Sequence, residues 1–294
     1  MKALVTGGAG FIGSHIAEHL IKNGWTVAII DDLSAGKREN LPRKVMFYEA
    51  DVTDNERLDD IFSVFTPDVV FHNAASKKNV CLLDPMRDLE VNAKGTFNLL
   101  ELSQFYKVKK FVHASTGSVY GEVNRITEET RVKPVSYYGV SKLAGENYVR
   151  LFPDLNPTIL RYFHVYGPNQ DNTELGGVVS IFINNLLTGK PHTIFGDGKQ
   201  VRSFTYVKDV IEANLMALNM TGIYNVASGA KVSLIALAEK LESITGLHYG
   251  YKFEDRLSGD IDNFDVKGME LDKRHYTSLD LGLYQTILTE KLIS

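Results

Sequence analysis

The 294-residue chain has a single cysteine, Cys81, so no internal disulfide can form and a reducing cytosol suits it. Cys81 reads as a small buried apolar residue rather than a nucleophile. No cluster of Cys and His falls at metal-ligand spacing, so no metal is expected. An excess of positive charge is also missing: 32 Lys and Arg stand against 36 Asp and Glu, a net charge of −4. Bulk attraction to nucleic acid or an anionic membrane is thereby excluded, and a phosphate-bearing ligand must be held by local groups. The first apolar run, Ala3–Val5, is far too short for a signal-peptide core or a membrane span. No repeat or low-complexity segment interrupts the chain, and the expectation is a soluble cytoplasmic protein.

What is present is an alternation. Short runs rich in Val, Ile and Phe occur at Ala3–Thr6, Thr26–Asp31, Val45–Tyr48, Asp68–Asn73, Lys110–Ser115 and Thr158–Tyr162. They read as strands of a parallel sheet buried on both faces. Amphipathic stretches of helical period, Ile12–Asn23, Asn55–Phe65, Asp88–Tyr106 and Tyr138–Phe152, lie between them. Strand and helix in alternation predict an α/β doubly wound parallel sheet of Rossmann type. After Tyr162 the rhythm breaks at Gly167-Pro168, Gly176-Gly177 and Gly196-Asp197-Gly198. The division expected is a dinucleotide-binding domain from 1–163 plus about 199–220, and a smaller α/β substrate region from about 164–198 plus 221–294. A helix at Val207–Leu218 and a strand at Ile223–Val226 return to the main sheet.

The first strand runs into Thr6-Gly7-Gly8-Ala9-Gly10-Phe11-Ile12-Gly13, which contains G-x-G-x-x-G. A strand before it and a helix after it are the context in which helix N–H groups meet a pyrophosphate. Asp31, 18 residues beyond Gly13, can accept hydrogen bonds from adenosine ribose hydroxyls and would repel a 2′-phosphate. NAD is favoured over NADP, although Lys37 and Arg38 follow closely. Asp31 and Asp32 would otherwise serve only to begin a loop or cap a helix.

Tyr138 and Lys142 are four residues apart at the start of a predicted helix and share its face, whereas Tyr137 is out of register. A neighbouring ammonium and a nicotinamide cation would lower the phenol pKa and let Tyr138 accept a proton from a sugar hydroxyl. Y-x-x-x-K alone suits any surface helix. Upstream, however, Ser115-Thr116-Gly117-Ser118 ends a strand, where Ser115 or Thr116 could share a hydrogen bond with that hydroxyl.

Ordered matches extend this pattern through most of the chain: TGGAGFIGSH (6–15), DDLSAGKREN (31–40), ADVTD (50–54), HNAA (72–75), VNAKGTFNLLE (91–101), STGSVYG (115–121), YYGVSK (137–142), LRYFHVYGPNQ (160–170) and GDGKQVRSFTYVKDV (196–210). The chain resembles the extended short-chain dehydrogenase/reductase family, and within it the UDP-glucose (UDP-galactose) 4-epimerase group. The resemblance implies NAD contacts from Gly7, Gly10, Phe11, Ile12, Gly13, Asp31, Asp32, Asp51, Val52, Ala74, Ala75, Asn92, Tyr138 and Lys142. It implies Thr116 as the catalytic hydroxyl and Tyr138 as the acid/base. On the substrate side it implies Thr116, Tyr138, His164, Arg202 and Arg256, with Arg202 aimed at the nucleotide diphosphate.

Departures are specific. His164 replaces the family's usual Asn, Ser203 replaces the Asp common after the arginine, and Arg256 stands one residue further from Gly259-Asp260 than is usual. Family dehydratases carry Asp-Glu, and decarboxylases a Glu, where this chain has Gly117-Ser118. The resemblance thus implies reversible C4 epimerisation of a UDP-hexose through a 4-keto intermediate with tightly bound NAD. An epimerase or net oxidoreductase acting on another nucleotide sugar, and a non-catalytic NAD sensor, are the alternatives. It also implies a homodimer through the helices at Asp88–Tyr106 and Tyr138–Phe152, where Leu99, Leu102 and Phe105 would be interface or ordinary core.

Overall fold

Every apolar run of the first half becomes a strand: β1 (Lys2–Thr6), β2 (Thr26–Asp31), β3 (Met46–Glu49), β4 (Val69–His72), β5 (Lys110–Thr116) and β6 (Thr158–Tyr162). The computed structural model describes residues 1–76, 80–123, 125–173, 176–256, 264–271 and 275–293. Later strands are short: β7 (Val165–Tyr166), β8 (His192–Phe195), β9 (Val201–Arg202), β10 (Thr205–Tyr206), β11 (Gly222–Val226), β12 (Val232–Ser233) and β13 (Tyr251–Glu254). The helices are α1 (Phe11–Lys22), α2 (Asn55–Phe65), α3 (Val80–Leu83), α4 (Pro85–Leu89), α5 (Thr96–Phe105), α6 (Tyr137–Arg150), α7 (Val178–Leu187), α8 (Val207–Met216), α9 (Leu234–Thr245) and α10 (Leu279–Ile293). Among the described residues no helix is long and apolar enough to cross a membrane.

Seven strands form one sheet in the order β11-β6-β5-β4-β1-β2-β3, and every neighbouring pair is parallel. This is the doubly wound Rossmann arrangement, with its switch point between β1 and β4, where ligands bind beyond the strands' carboxyl ends. One face buries Leu58, Phe62, Leu99 and Phe111 beneath α2, α5 and α6. The other buries Ile16, Leu20 and Val210 beneath α1 and α8, which pack against each other. β11 pairs with β6 by hydrogen bonds, so residues 222–226 belong to the large sheet and the range 221–294 is not a single region. Smaller pairs, β7 with β10, β9 with β12 and β8 with β13, lie beside a second core of Phe182, Ile183, Leu237, Leu241 and Leu283.

The helix expected over Asp88–Tyr106 is not one regular helix. α4 continues into a π-helical turn, Glu90–Gly95, before α5 begins. The wider turn fits the site: Asn92 is fully buried and its amide is used in three directions.

α6 is docked on the sheet by charge as much as by apolar contact. Glu146 accepts from Arg161 on β6 through both oxygens, at 2.9 Å from Nε and 2.6 Å from Nη2. The same guanidinium donates to the Tyr120 hydroxyl at 2.7 Å, and Ser115 on β5 donates to Glu146. Both charged side chains are buried. Removing one partner strands the other charge without water, so Glu146→Gln should lower the urea-unfolding free energy by about 3–5 kcal/mol. An unchanged midpoint in equilibrium urea unfolding would contradict that docking role.

Candidate active site

The glycine turn lies where β1 meets β4. Gly7 has φ +67, and a Cβ on it would lie 2.6 Å from the Ala74 backbone nitrogen, so any side chain is excluded. At Gly13 a Cβ would come within 2.2 Å of the Gly7 carbonyl oxygen, which lets α1 start directly against the turn. Its N-cap, Gly10, makes no side-chain cap hydrogen bond, leaving first-turn N–H groups for an anion.

A cleft of about 460 Å³ opens from this turn. Of the residues expected to contact NAD, Gly7, Gly10, Phe11, Asp31, Asp32, Asp51, Val52, Ala74 and Ala75 line it. Ile12, Gly13, Asn92, Tyr138 and Lys142 lie outside that lining. Asp31 Oδ2 accepts from the Ala9 N–H at 2.9 Å and Oδ1 from the Leu33 N–H at 2.9 Å, tying β2 to the turn. Burial raises its carboxyl pKa despite these donors. Asp51 is held low: burial opposes this, but the Thr53 N–H and Arg87 outweigh it. The glycine cradle, the uncapped helix and the acidic residue at the end of β2 fit a dinucleotide such as NAD.

Sequence reasoning singled out neither Ser34 to Gly36, Asn40, Ser76, Arg87 nor Val91 in the same lining, nor Asn169 to Asp171 and Gly176-Gly177. Several sit inside matched segments, but side-chain type alone gave no reason to choose them. The Gly167-Pro168 loop is fastened to α1 by a hydrogen bond between His15 Nε2 and the Pro168 carbonyl, 2.8 Å.

Tyr138 and Lys142 face inward from α6, while Tyr137 is 60% exposed, as the four-residue register requires. The α6 N-cap is Ser136, whose hydroxyl accepts from the Gly139 N–H at 3.1 Å. Thr116, at the end of β5, lies beside the Tyr138 phenol, and its hydroxyl donates to Ser118 Oγ at 3.2 Å and accepts from the Ser118 N–H at 3.1 Å. The expected lowering of the phenol does not occur in the protein alone. Burial, reinforced by the charge of Asp88, pushes Tyr138 up to about 12, against the pull of Thr116. Burial also brings Lys142 down to about 8, although Glu146 and Asp88 favour its charged form.

Asn92 supports these groups from behind. Its Nδ2 donates to Asp88 Oδ1 at 2.9 Å and to Ser141 Oγ at 3.0 Å, and its Oδ1 accepts from the Ser76 N–H at 3.0 Å. It therefore fastens the catalytic helix to the segment following β4. A second chain runs beneath it. Thr96 donates to the Asn92 carbonyl at 2.7 Å, so His72 Nε2 donates to Thr96 at 2.9 Å and His72 Nδ1 accepts from Thr6 at 2.8 Å. Burial, and then the Lys142 charge, hold His72 well below the usual imidazole range, consistent with that neutral tautomer.

Gly117 explains the missing carboxylate. A Cβ there would fall 2.3 Å from the Phe163 ring, which stacks with Tyr120 at 6.3 Å and meets Phe264 at 6.1 Å. On the substrate side, Phe264 lies between two expected contacts, with the His164 ring at 4.7 Å and the Arg202 guanidinium at 5.5 Å. His164 has φ +37, a left-handed conformation in which Asn and His are enriched. Ser203 accepts from the Gly229 N–H at 3.1 Å. Arg256 is exposed and close to Gly196; Gly259 and Asp260 lie outside the described residues.

Comparison with known proteins agrees with this geometry. Residues 3–227 match the family model of the NAD dependent epimerase/dehydratase family. The chain is 43% identical over 252 residues, 83% of its length and 82% of the relative's, to a putative UDP-glucose 4-epimerase of Methanocaldococcus jannaschii. It superposes on the UDP-glucose 4-epimerase of Thermotoga maritima, solved with UDP-glucose, with a TM-score of 0.94, 38% identity and 100% of both chains covered. The NAD complex of the Thermus thermophilus UDP-glucose 4-epimerase gives the same TM-score, 0.94, at 38% identity over 99% of both chains. With the glycine cradle, the Tyr138–Lys142 face and the seven-stranded sheet all in place, the chain belongs to the NAD-dependent epimerase/dehydratase family of enzymes.

Proposed function

We propose that the chain interconverts UDP-galactose and UDP-glucose by reversible epimerisation at C4, with NAD retained throughout. The observation that carries this reading is the catalytic turn itself: Thr116 set beside Tyr138, with the adjoining Gly117 closed to any side chain by Phe163. Oxidation and return at one carbon needs a proton acceptor and a hydroxyl to orient the substrate; elimination needs a further acid or base that this turn does not offer. The similarity to epimerases of known structure supports the same choice.

Tyr138 takes the proton of the sugar 4-hydroxyl and gives it back, while Thr116 orients that hydroxyl. NAD, when bound, supplies the hydride acceptor and donor at C4 and a positive ring that favours the phenolate. The Lys142 ammonium assists the same ionisation. Arg202 holds the diphosphate, so the 4-keto sugar can turn about that anchor between the two half-reactions. Residues 1–163 and about 199–220, with β11 completing their sheet, carry the cofactor in this reading, and the rest of the smaller region carries the nucleotide sugar. A cytoplasmic location is the reading the lone cysteine supports.

An epimerase or net oxidoreductase acting on another nucleotide sugar is the second reading, favoured by His164 beside Phe264 where the family has Asn. We also infer a homodimer, since Leu83, Phe105 and Leu151 on α3, α5 and at the end of α6 are 87%, 75% and 72% exposed, whereas Leu99 and Leu102 are core.

Three outcomes are expected. Purified protein without added cofactor should convert UDP-galactose to UDP-glucose, and Tyr138→Phe should slow this by roughly 10²–10⁴-fold while retaining NAD. No conversion by NAD-loaded protein would refute the substrate assignment, and a requirement for added NAD would favour net redox. Turnover should fall as pH rises through about 8, where Lys142 loses its charge, and Lys142→Arg should lack that alkaline limb; the same limb in the arginine variant would assign it to another group. Light scattering should give the mass of two chains, and that of one after a Phe105→Asp, Leu151→Asp double substitution.

A further inference from the structure

At one end of the cofactor cleft, two carboxylates stand at the carboxyl ends of neighbouring strands: Asp32 after β2 and Asp51 after β3. One oxygen of each is satisfied locally. Asp32 Oδ1 accepts from the Ser34 N–H at 3.0 Å and its hydroxyl at 2.6 Å. Asp51 Oδ1 accepts from the Thr53 N–H at 2.8 Å and its hydroxyl at 2.9 Å. Arg87 meets the remaining oxygens from the opposite side of the cleft, with Nη2 2.6 Å from Asp51 Oδ2 and 3.3 Å from Asp32 Oδ2.

Arg87 is on the five-residue helix α4, far in sequence from both carboxylates. Its backbone is fixed at both sides. The Arg87 N–H donates to the Asp84 cap at 3.0 Å, and the next residue, Asp88, is buried and bonded to Asn92. Through Asn92 and Ser141, α4 is joined to the catalytic helix. α4 thus has one charged side chain across the cofactor cleft and the next turned into the catalytic framework.

We propose that Arg87 is a clasp at the adenosine end of the cleft, whose bridge to Asp32 and Asp51 slows the escape of NAD. The need for such a clasp rests on the proposed function, because an enzyme that reduces and reoxidises one cofactor fails if it releases that cofactor while the sugar is turning. Arg87 and its two partners are about one third exposed, at 30% and 32%, so salt screens the bridge only in part.

The test measures NAD release from the full-length holoprotein, by rapid dilution and filtration without any sugar, at low and high ionic strength. The unsubstituted protein should release NAD faster as salt rises. Arg87→Leu should release it roughly tenfold faster at low salt and show little further salt dependence. Arg87→Lys, a point charge able to engage one carboxylate, should fall between them. Asp51→Asn tests the bridge from the other side and should also accelerate release. Thermal unfolding of each apoprotein checks folding. If Arg87→Leu, folded by that measure, and Asp51→Asn both keep the original release rate and salt response, the clasp is overturned. Salt-sensitive, Arg87-dependent release in a protein inactive on UDP-galactose would preserve the clasp and refute only the epimerase reading.

Discussion

Glu146 and Arg161 meet in the interior with both carboxylate oxygens and two guanidinium nitrogens engaged, and the catalytic helix is placed by that contact. Tyr138, Lys142 and Glu146 follow at intervals of four along α6, so fixing the last fixes the rotation of the other two. Ser115, beside Thr116, joins the same carboxylate, which brings the end of β5 into the arrangement. The inward face of α6 is unusually polar: Ser141, Lys142 and Glu146 are buried with Gly139, Gly145 and Val149. Apolar contact alone would tolerate rotation or sliding of such a helix. A bidentate ion pair in low dielectric does not, because a displaced charge would be left without water or partner.

Tyr138 and Lys142 move in opposite directions for one reason. Burial favours the neutral form of each, raising the phenol and lowering the ammonium. The protein by itself therefore holds its acid/base group in the protonated state and places Thr116, the partner that favours the phenolate, against it. Activation depends on what enters the cleft. The supports for the two halves of the site are also shared, since Asp88 and Asn92 link α4, which reaches the cofactor cleft, to Ser141 on α6.

The sheet was legible because its central strands are buried on both faces and leave short apolar runs rich in Val, Ile and Phe, as in Val69–Phe71. The Tyr138–Lys142 face and the glycine turn were legible because their spacing is dictated by helix geometry and by backbone contact. The π-turn at Glu90–Gly95 was not, since apolar residues flank it in near-helical phase and one extra residue in the turn leaves little trace in a period. Asn92 is expected as a cofactor contact, but its amide is spent on Ser76, Asp88 and Ser141, partners that only the folded chain assembles. Arg87 resembles any charge on a short exposed helix until β2 and β3 bring Asp32 and Asp51 to it. The Tyr138 shift runs against expectation because charges are visible in a sequence and desolvation is not.

The packing of Gly117 against Phe163 also constrains how this chain could change. A carboxylate could enter at 117 only after the ring at 163 had been cut back, because a Cβ there already falls 2.3 Å from it. Cutting back the ring first would leave a cavity between Tyr120 and Phe264 and cost about 3–5 kcal/mol with no new chemistry gained. Each single step is a loss, and only the pair could open an eliminating turn. The route from this chain to such an enzyme crosses an evolutionary valley two substitutions wide, and divergence along it would require both changes to arrive together or a prior gain of stability elsewhere.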